Sequence, residues 1–180
     1  MSVNFEIMNK DHVKLAWSFS VNESSCANHE LFENFIKFSA LTDMASGNNV
    51  THVLVDNNEK TKEKIMIGFV ALRASSYIMQ CHGESEANGD PALEIQYLAV
   101  DKKYEHQGNG TLLVSKVIDL AAQLCEKYIG VNYIVLRSDE KAVKFYETIR
   151  FKKLSEIGKI PSGEWNANCT PLIAKIETWE

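Results

Sequence analysis

The chain has 180 residues, of which 45% are hydrophobic, and its 24 acidic and 19 basic side chains give a formal net charge of −5. This length and composition predict a single globular domain, residues 1–180, that buries about 70% of its extended-chain surface. The negative charge argues against a surface built mainly for phosphate backbones, so we expect no nucleic acid partner.

The sequence also predicts that the protein neither inserts into a membrane nor binds a metal. The longest apolar run, residues 65–72, is far shorter than the roughly 20 residues that a membrane helix needs. Residues 1–10 show no signal-peptide pattern, so we expect a cytoplasmic protein without membrane association. The four cysteines are widely separated and predict free thiols rather than a disulfide or a zinc site. They are Cys26, Cys81, Cys125 and Cys169.

The hydrophobic pattern predicts alternating strands and helices along the whole chain. Strands are expected at 3–8, 50–56, 65–74, 93–100, 133–136, near 151 and at 172–177, and helices at 10–19, 29–41, 110–128 and 140–148. The order is β-α-α-β-β-β-α-β-α-β-β, an α/β fold of the α+β type with a mostly antiparallel mixed sheet. Only the crossover through the helix at 110–128 predicts a parallel pair.

A glycine-containing turn separates the strand at 93–100 from the long helix. Glycine tolerates positive φ, which we expect at Gly110, and allows several backbone N–H groups to point inward. The helix N-terminus that follows attracts anions, so the turn predicts a phosphorylated ligand. Its spacing fits neither a dinucleotide fingerprint nor a P-loop, and a plain surface turn is the alternative. The residues of this turn are Gln107, Gly108, Asn109, Gly110 and Thr111.

A second strand and a short helix follow the long helix. The strand expected at 133–136 lies within the apolar run 131–136, and Ser138 or Asp139 is the predicted cap of the helix after it. Within this helix Ala142 and Tyr146 are one turn apart and share a face, so the small residue leaves room beside the phenol for a ligand. Phe145 precedes the tyrosine directly.

With these segments in this order, the chain resembles the GNAT family of acetyl-coenzyme A dependent N-acetyltransferases over roughly residues 64–155. The family's Q/R-x-x-G-x-G/A motif occurs as Gln107-x-x-Gly110-x-Leu112. Its N-x-x-A-x-x-F-Y motif also occurs, with Asp139 in place of the asparagine. Arg150 replaces the glycine of the usual Gly-Phe pair, and Leu112 stands where the family has Gly or Ala.

The resemblance implies acetyl-coenzyme A as co-substrate, no metal, and direct attack by an amine in a ternary complex. It also implies a sheet splayed between its fourth and fifth strands, near Leu98 and Tyr133, which admits the pantetheine arm. The oxyanion is expected to bind backbone N–H groups at the end of the fourth strand. The predicted coenzyme-binding residues are Leu98, Ala99, Val100, Gln107, Gly108, Asn109, Gly110, Thr111, Asp139, Ala142 and Phe145.

Two side chains are candidates for proton transfer. Strand alternation places Glu94 on the polar face of its strand, where the resemblance implies a general base acting through water. An exposed strand glutamate is the alternative. The resemblance makes Tyr146 the general acid, because a phenol with a pKa near 10 is protonated at neutral pH and donates to a thiolate with a pKa near 8.5. A core aromatic beside Phe145 is the alternative.

The acceptor amine is predicted only as a class. The family's acceptor side corresponds to residues 24–38 and 158–168, and its acidic and aromatic side chains predict a primary amine of a small molecule or peptide. These side chains are Glu30, Glu33, Glu164 and Trp165. Two alternatives are an acyl-coenzyme A-binding regulatory module and a GNAT toxin that acetylates aminoacyl-tRNA, which residues 130–136 and the Phe145-Tyr146 helix also resemble. The oligomeric state is open between monomer and homodimer.

Overall fold

The computed structural model describes residues 2–57, 63–78, 89–157 and 169–176. The strands are β1 Ser2–Ile7, β2 Val50–Asn57, β3 Lys64–Ile78, β4 Gly89–Val100, β5 Tyr133–Asp139, β6 Lys152–Lys153 and β7 Cys169–Lys175. The helices are α1 Val13–Ala16, α2 His29–Asn34, α3 Ala40–Ala45, α4 Asn109–Lys127, α5 Val143–Thr148 and α6 Leu154–Ile157. Turns of 3-10 helix, Lys10–His12 and Glu140–Ala142, precede α1 and α5, and a π-helical turn, Phe35–Ser39, joins α2 to α3.

Within the described ranges the strands form one seven-stranded mixed sheet in the order β1-β2-β3-β4-β5-β7-β6. The pairs β1–β2, β2–β3, β5–β7 and β6–β7 are antiparallel. The pair β4–β5 is parallel, with residues 92–95 opposite 133–136. The predicted fold class is therefore confirmed, including the one parallel crossover through α4.

The chain forms two compact units. The first comprises residues 1–73 and 96–116, and its core lies where α1, the π-helical turn and α3 cover β2 and β3. Phe69 of β3 is fully buried there, with its ring centroid 5.4 Å from Phe19 and 5.8 Å from Phe35. These aromatic contacts fix the helices on one face of the sheet, because each ring buries a large apolar area.

The second unit comprises residues 74–95 and 117–180. Its small core cluster contains Tyr77, Leu154 and Ile173, with Tyr133 and Val135 packed against it. Helix α6, which the sequence did not predict, supplies Leu154 to this cluster. The helix is only one turn long, and so short a segment carries too little periodicity to be predicted.

Several element boundaries differ from the prediction. The predicted helix at 29–41 continues to Ala45, β3 runs on to Ile78, β4 begins at Gly89, and β7 begins at Cys169 rather than at residue 172.

Cys26, Cys125 and Cys169 are free thiols, whereas Cys81 lies outside the described residues. In the described parts of the chain, no helix is long and apolar enough to span a bilayer. The same parts contain no cluster of three or more acidic, histidine or cysteine side chains that is placed to hold a metal ion.

Candidate active site

The turn between β4 and α4 has the geometry of an anion-binding loop. Gly108 has φ of 81° and His106 has φ of 58°. Helix α4 begins at Asn109, and the Leu112 N–H donates to the Gly108 carbonyl over 2.9 Å. The N–H groups of residues 109–111 have no acceptor one turn earlier in the helix, so they are available to an anion at the positive end of the helix dipole. The prediction of positive φ at Gly110 is wrong, because Gly110 lies inside the first helical turn and Gly108 takes that conformation.

Two side chains of this turn hold the turn itself. Gln107 Nε2 donates to the Lys103 carbonyl over 3.0 Å, and Asn109 Nδ2 donates to the Tyr104 carbonyl over 2.9 Å. Both amides close the loop from residue 103 to residue 109. In this arrangement the contacts left for a phosphate are mainly backbone N–H groups rather than these side chains.

A buried carboxylate, Asp101, anchors the start of the same loop and was missed at the sequence level. Its side chain is 3% exposed. One carboxylate oxygen accepts the Ser20 N–H over 3.0 Å and the other accepts the Lys103 N–H over 2.9 Å. The Lys102 N–H in turn donates to the Ser20 carbonyl over 2.8 Å. Hydrogen bonds to a charged acceptor are the stronger kind, so this junction fixes the loop firmly.

A second carboxylate, Glu105, connects the loop to the segment between α1 and α2. It accepts a hydrogen bond from Asn22 Nδ2 over 3.0 Å and one from the Ser25 hydroxyl over 3.2 Å. Both carboxylates therefore tie the anion-binding turn to residues 20–25, which belong to the segment before α2. The sequence offered one signal for this role of Asp101, an acidic residue directly after a strand. It could not predict the partners, because Ser20 and Ser25 lie about eighty residues before the carboxylates that they bind.

The end of β4 lies close to β3 and α4. A Cβ atom placed on Gly68 of β3 would be 2.8 Å from the Ala99 carbonyl oxygen and 2.9 Å from Leu113 Cδ1. Only glycine fits at this crossing. Ala99 is buried, while the predicted coenzyme contacts Leu98 and Val100 on either side of it are half-buried.

Gln96 and Tyr97 of β4 make contacts on opposite faces of the strand. Gln96 Oε1 accepts a hydrogen bond from Asn49 Nδ2 over 3.0 Å. The Tyr97 ring stacks on Phe35 at 4.2 Å and meets Phe32 edge-on at 5.8 Å. The strand thus alternates between a polar face and a face packed on the helical layer, as the sequence pattern predicted.

The two candidate proton-transfer residues belong to the second unit. Glu94 is half-buried on β4 and pairs with Val135 of β5. Tyr146 on α5 is only 6% exposed, with its ring 4.9 Å from Phe145 and 5.6 Å from Phe151. Burial raises the pKa of the Tyr146 hydroxyl well above its usual range, so the group stays protonated at neutral pH. The same shift makes the hydroxyl a weaker acid toward a thiolate, so the packing favours a core role, and the role as an acid rests on the family resemblance.

The structure explains how Asp139 and Arg150 replace the asparagine and the glycine of the GNAT motifs. Asp139 Oδ1 accepts the Lys141 N–H over 3.0 Å, which is the capping bond that an asparagine would also make. Arg150 has φ of 73°, a conformation that favours glycine. It lies in a Schellman motif, in which the Phe151 N–H donates to the Tyr146 carbonyl and the Arg150 N–H to the Glu147 carbonyl. The helix end that carries Tyr146 is therefore closed without the glycine.

The expected acceptor-side residues are only partly described. Glu33 accepts the Val21 N–H over 3.0 Å and Lys37 Nζ over 2.7 Å. Burial acts to raise the pKa of Glu33, but these two hydrogen bonds together with the nearby charge of Lys37 outweigh it and lower the pKa below the usual range. Glu33 thus has a structural role, Glu30 is exposed, and residues 164 and 165 lie outside the described ranges.

Comparison with protein-family models identifies the class. The model of the Acetyltransferase (GNAT) family matches residues 12–151, so the chain belongs to that family. The predicted resemblance is confirmed and extends further toward the N-terminus than the motifs indicated. The predictions of an acyltransferase and of acetyl-coenzyme A as co-substrate are confirmed with it. No curated protein matches the sequence significantly.

Solved structures of toxins share the fold. A tyrosine-to-phenylalanine mutant of KacT has a TM-score of 0.76 and 17% identity, covering 98% of this chain and 96% of that chain. A mutant of the AtaT toxin bound to the C-terminus of the antitoxin AtaR and acetyl-CoA has a TM-score of 0.69 and 16% identity, with 98% and 94% covered. AtaT complexed with acetyl-methionyl-tRNAfMet has a TM-score of 0.71 and 18% identity, with 94% of each chain covered. Since a protein of this fold binds tRNA, the expectation that nucleic acid is no partner is not supported.

Proposed function

We propose that this acetyltransferase transfers the acetyl group of acetyl-coenzyme A to the α-amino group of an amino acid carried by tRNA. The observation that carries the proposal is the likeness over nearly the whole chain to AtaT complexed with acetyl-methionyl-tRNAfMet. This acceptor was the alternative at the sequence level, and the comparisons favour it over a small-molecule or peptide amine. We also propose that residues 1–180 act as one catalytic domain, in the cytoplasm where charged tRNA is found.

The coenzyme is proposed to bind at the turn before α4. Its pyrophosphate would accept hydrogen bonds from the N–H groups of residues 109–111, at the positive end of a helix 19 residues long. Gln107 and Asn109 support this by closing the turn, and Asp101 supports it by fixing the strand end. The backbone at Leu98–Val100 of β4 would hold the thioester carbonyl, because N–H donors there stabilise the oxyanion of the tetrahedral intermediate.

The proposed proton transfers use one acid and one base. The amine nitrogen attacks the thioester carbonyl, the carbon–sulfur bond breaks, and the coenzyme thiolate takes the phenolic proton of Tyr146. Glu94, acting through water, accepts the proton that the attacking nitrogen loses. An α-amino group has a pKa of about 8, so an appreciable fraction is already neutral at pH 7.5, and a weakly basic carboxylate suffices.

A second candidate acceptor is a small cationic amine or a peptide N-terminus. The net charge of −5 favours it, because an acidic protein attracts cations and repels the phosphate backbone of tRNA. Raising the ionic strength should lower kcat/KM for a cationic amine of low molecular weight, because salt screens its attraction to the acidic chain. Salt also weakens any contact between lysines and tRNA phosphates, so the acceptor that is acetylated, and not the salt dependence, separates the two candidates.

The test is an acceptor panel with labelled acetyl-coenzyme A, in which charged tRNAs compete with polyamines, free amino acids and peptides. We expect transfer to charged tRNA, and Tyr146→Phe to lower its kcat by about 10- to 1000-fold with little change in coenzyme affinity. Expression of the wild-type protein should arrest growth, and Tyr146→Phe should abolish the arrest. Turnover of small amines alone would refute the proposal. Coenzyme binding without transfer to any acceptor would instead indicate a regulatory acyl-coenzyme A-binding module.

A further inference from the structure

Two large aromatic side chains of the first unit are exposed and contact each other. Trp17, at the C-terminal end of α1, is 59% exposed, and Phe38, in the π-helical turn, is 61% exposed. Their ring centroids are 5.3 Å apart at an interplanar angle of 81°. Large aromatic residues are mostly buried, and contiguous exposed apolar surface marks interaction sites.

Other residues of the same two segments are buried in the core. Ala16 and Phe19, on either side of Trp17 in the chain, are fully buried. In the π-helical turn Phe35 is 4% exposed and stacks on Tyr97, whereas Phe38 points outward. A π-helical turn widens the helix and is frequent at functional sites. Each segment therefore has one aromatic residue for the core and one for the surface.

The surroundings of the aromatic pair are basic and polar. Lys10 and Lys14 are exposed and precede Trp17 by seven and three residues, a spacing that places all three on one side of the helical segment. Ser20, three residues after Trp17, makes the backbone contact to Lys102, which is exposed. Asp11 is the exposed acidic neighbour. Lys10, Lys14 and Lys102 against Asp11 give these segments a local excess of positive charge, in contrast to the net charge of the chain, and this excess suits a polyanion.

We propose that Trp17 and Phe38 form a stacking surface for unpaired nucleobases of the RNA acceptor, with Lys10 and Lys14 contacting its phosphates. The inference rests on the proposed function, because the amino acid of a charged tRNA is attached to a single-stranded 3′ end. Exposed rings beside lysines are the arrangement that binds single strands, since every base offers a π-face and every nucleotide a phosphate. Paired bases within a duplex are already stacked and do not offer that face.

The experiment measures the dissociation constant of the full chain for deacylated tRNA at two salt concentrations. One stacked base contributes enough that Trp17→Ala or Phe38→Ala should weaken binding by about 5- to 150-fold, and Trp17→Phe by much less. Tyr128→Ala, which removes an aromatic ring that is 76% exposed at the end of α4, is the matched control and should bind as the wild type does. Lys14→Gln should reduce the salt slope by about one, whereas the exposed Lys127→Gln should not.

Deacylated tRNA lacks the α-amino group that accepts the acetyl group, so its binding is measured independently of acetyl transfer. Wild-type affinity in Trp17→Ala, with an unchanged melting temperature, would overturn the inference. So would a change in oligomeric mass without a change in tRNA affinity, which would assign the pair to contact with a second copy. Ring-dependent tRNA binding without transfer to charged tRNA would refute the proposed function and leave the stacking surface standing. Transfer to charged tRNA with an unchanged KM for tRNA in Trp17→Ala would support the proposed function and refute the stacking surface.

Discussion

Replacing Arg150 with glycine should stabilise the protein. Arg150 has φ of 73°, which costs a residue with a Cβ atom about 1–2 kcal/mol relative to glycine. Glycine loses about 0.5–1 kcal/mol more backbone entropy on folding, so the net gain of Arg150→Gly is about 0.5–1 kcal/mol. The arginine is exposed, and its side chain adds little to offset this. In a chain of 180 residues the melting temperature should rise by roughly 1–4 °C.

Three variants at this position give an ordered series. Asn tolerates the left-handed conformation better than most residues, so Arg150→Asn should lie between the wild type and Arg150→Gly. A β-branched side chain tolerates it worst, and Arg150→Val should destabilise the protein. Urea unfolding monitored by circular dichroism gives the free energies, and acetyl transfer gives the kcat of each variant.

The order of the four unfolding free energies tests whether the positive φ at residue 150 sets the stability of this helix end. The Schellman motif keeps the Tyr146 carbonyl bound in all four proteins, so kcat should stay unchanged while stability varies. A glycine variant that is less stable than the wild type, or a valine variant that equals it, would show that backbone conformation does not set the energy at this helix end.

Three further outcomes follow from the structure. Gly68→Ala should lower the free energy of unfolding by about 1–3 kcal/mol and raise the KM for acetyl-coenzyme A, because the new Cβ would be 2.8 Å from the Ala99 carbonyl oxygen. A melting temperature that stays unchanged in calorimetry would contradict this close contact. Asp101→Asn should lower the urea unfolding free energy by about 1.5–3 kcal/mol, because the Ser20 N–H and the Lys103 N–H bind different carboxylate oxygens and the NH2 group that replaces one of them cannot accept. Wild-type stability would show that the junction is dispensable. Burial lowers the pKa of His52 below 6.5, so the unfolded chain binds the proton more readily and wild-type stability should fall as the pH drops below about 6.5. The variant His52→Phe should lose this dependence between pH 7.5 and 5.5, and an equal acid loss in both proteins would assign it to other groups.

Local patterns in the sequence were sufficient for most of the elements and for the family. Helix α4 was predicted from its apolar spacing to within a residue of each end, and the parallel pairing of β4 with β5 followed from the crossover through that helix. Hydrophobic periodicity and connection handedness act over short stretches, so they can be read from the chain directly. The motif residues indicated the acetyltransferase family for the same reason. The catalytic roles of Glu94 and Tyr146 stay predictions.

The tertiary structure alone decided which distant segments meet. The Asp101 carboxylate binds Ser20 across 81 residues, and no spacing rule relates the two positions. Strand β7 lies between β5 and β6, although it follows both in the chain. The positive φ at Gly108 instead of Gly110 depends on where the first turn of α4 starts, and the exposure of Trp17 depends on which side of α1 the sheet covers. These features arise from packing between segments, and the sequence specifies packing only through the complete fold.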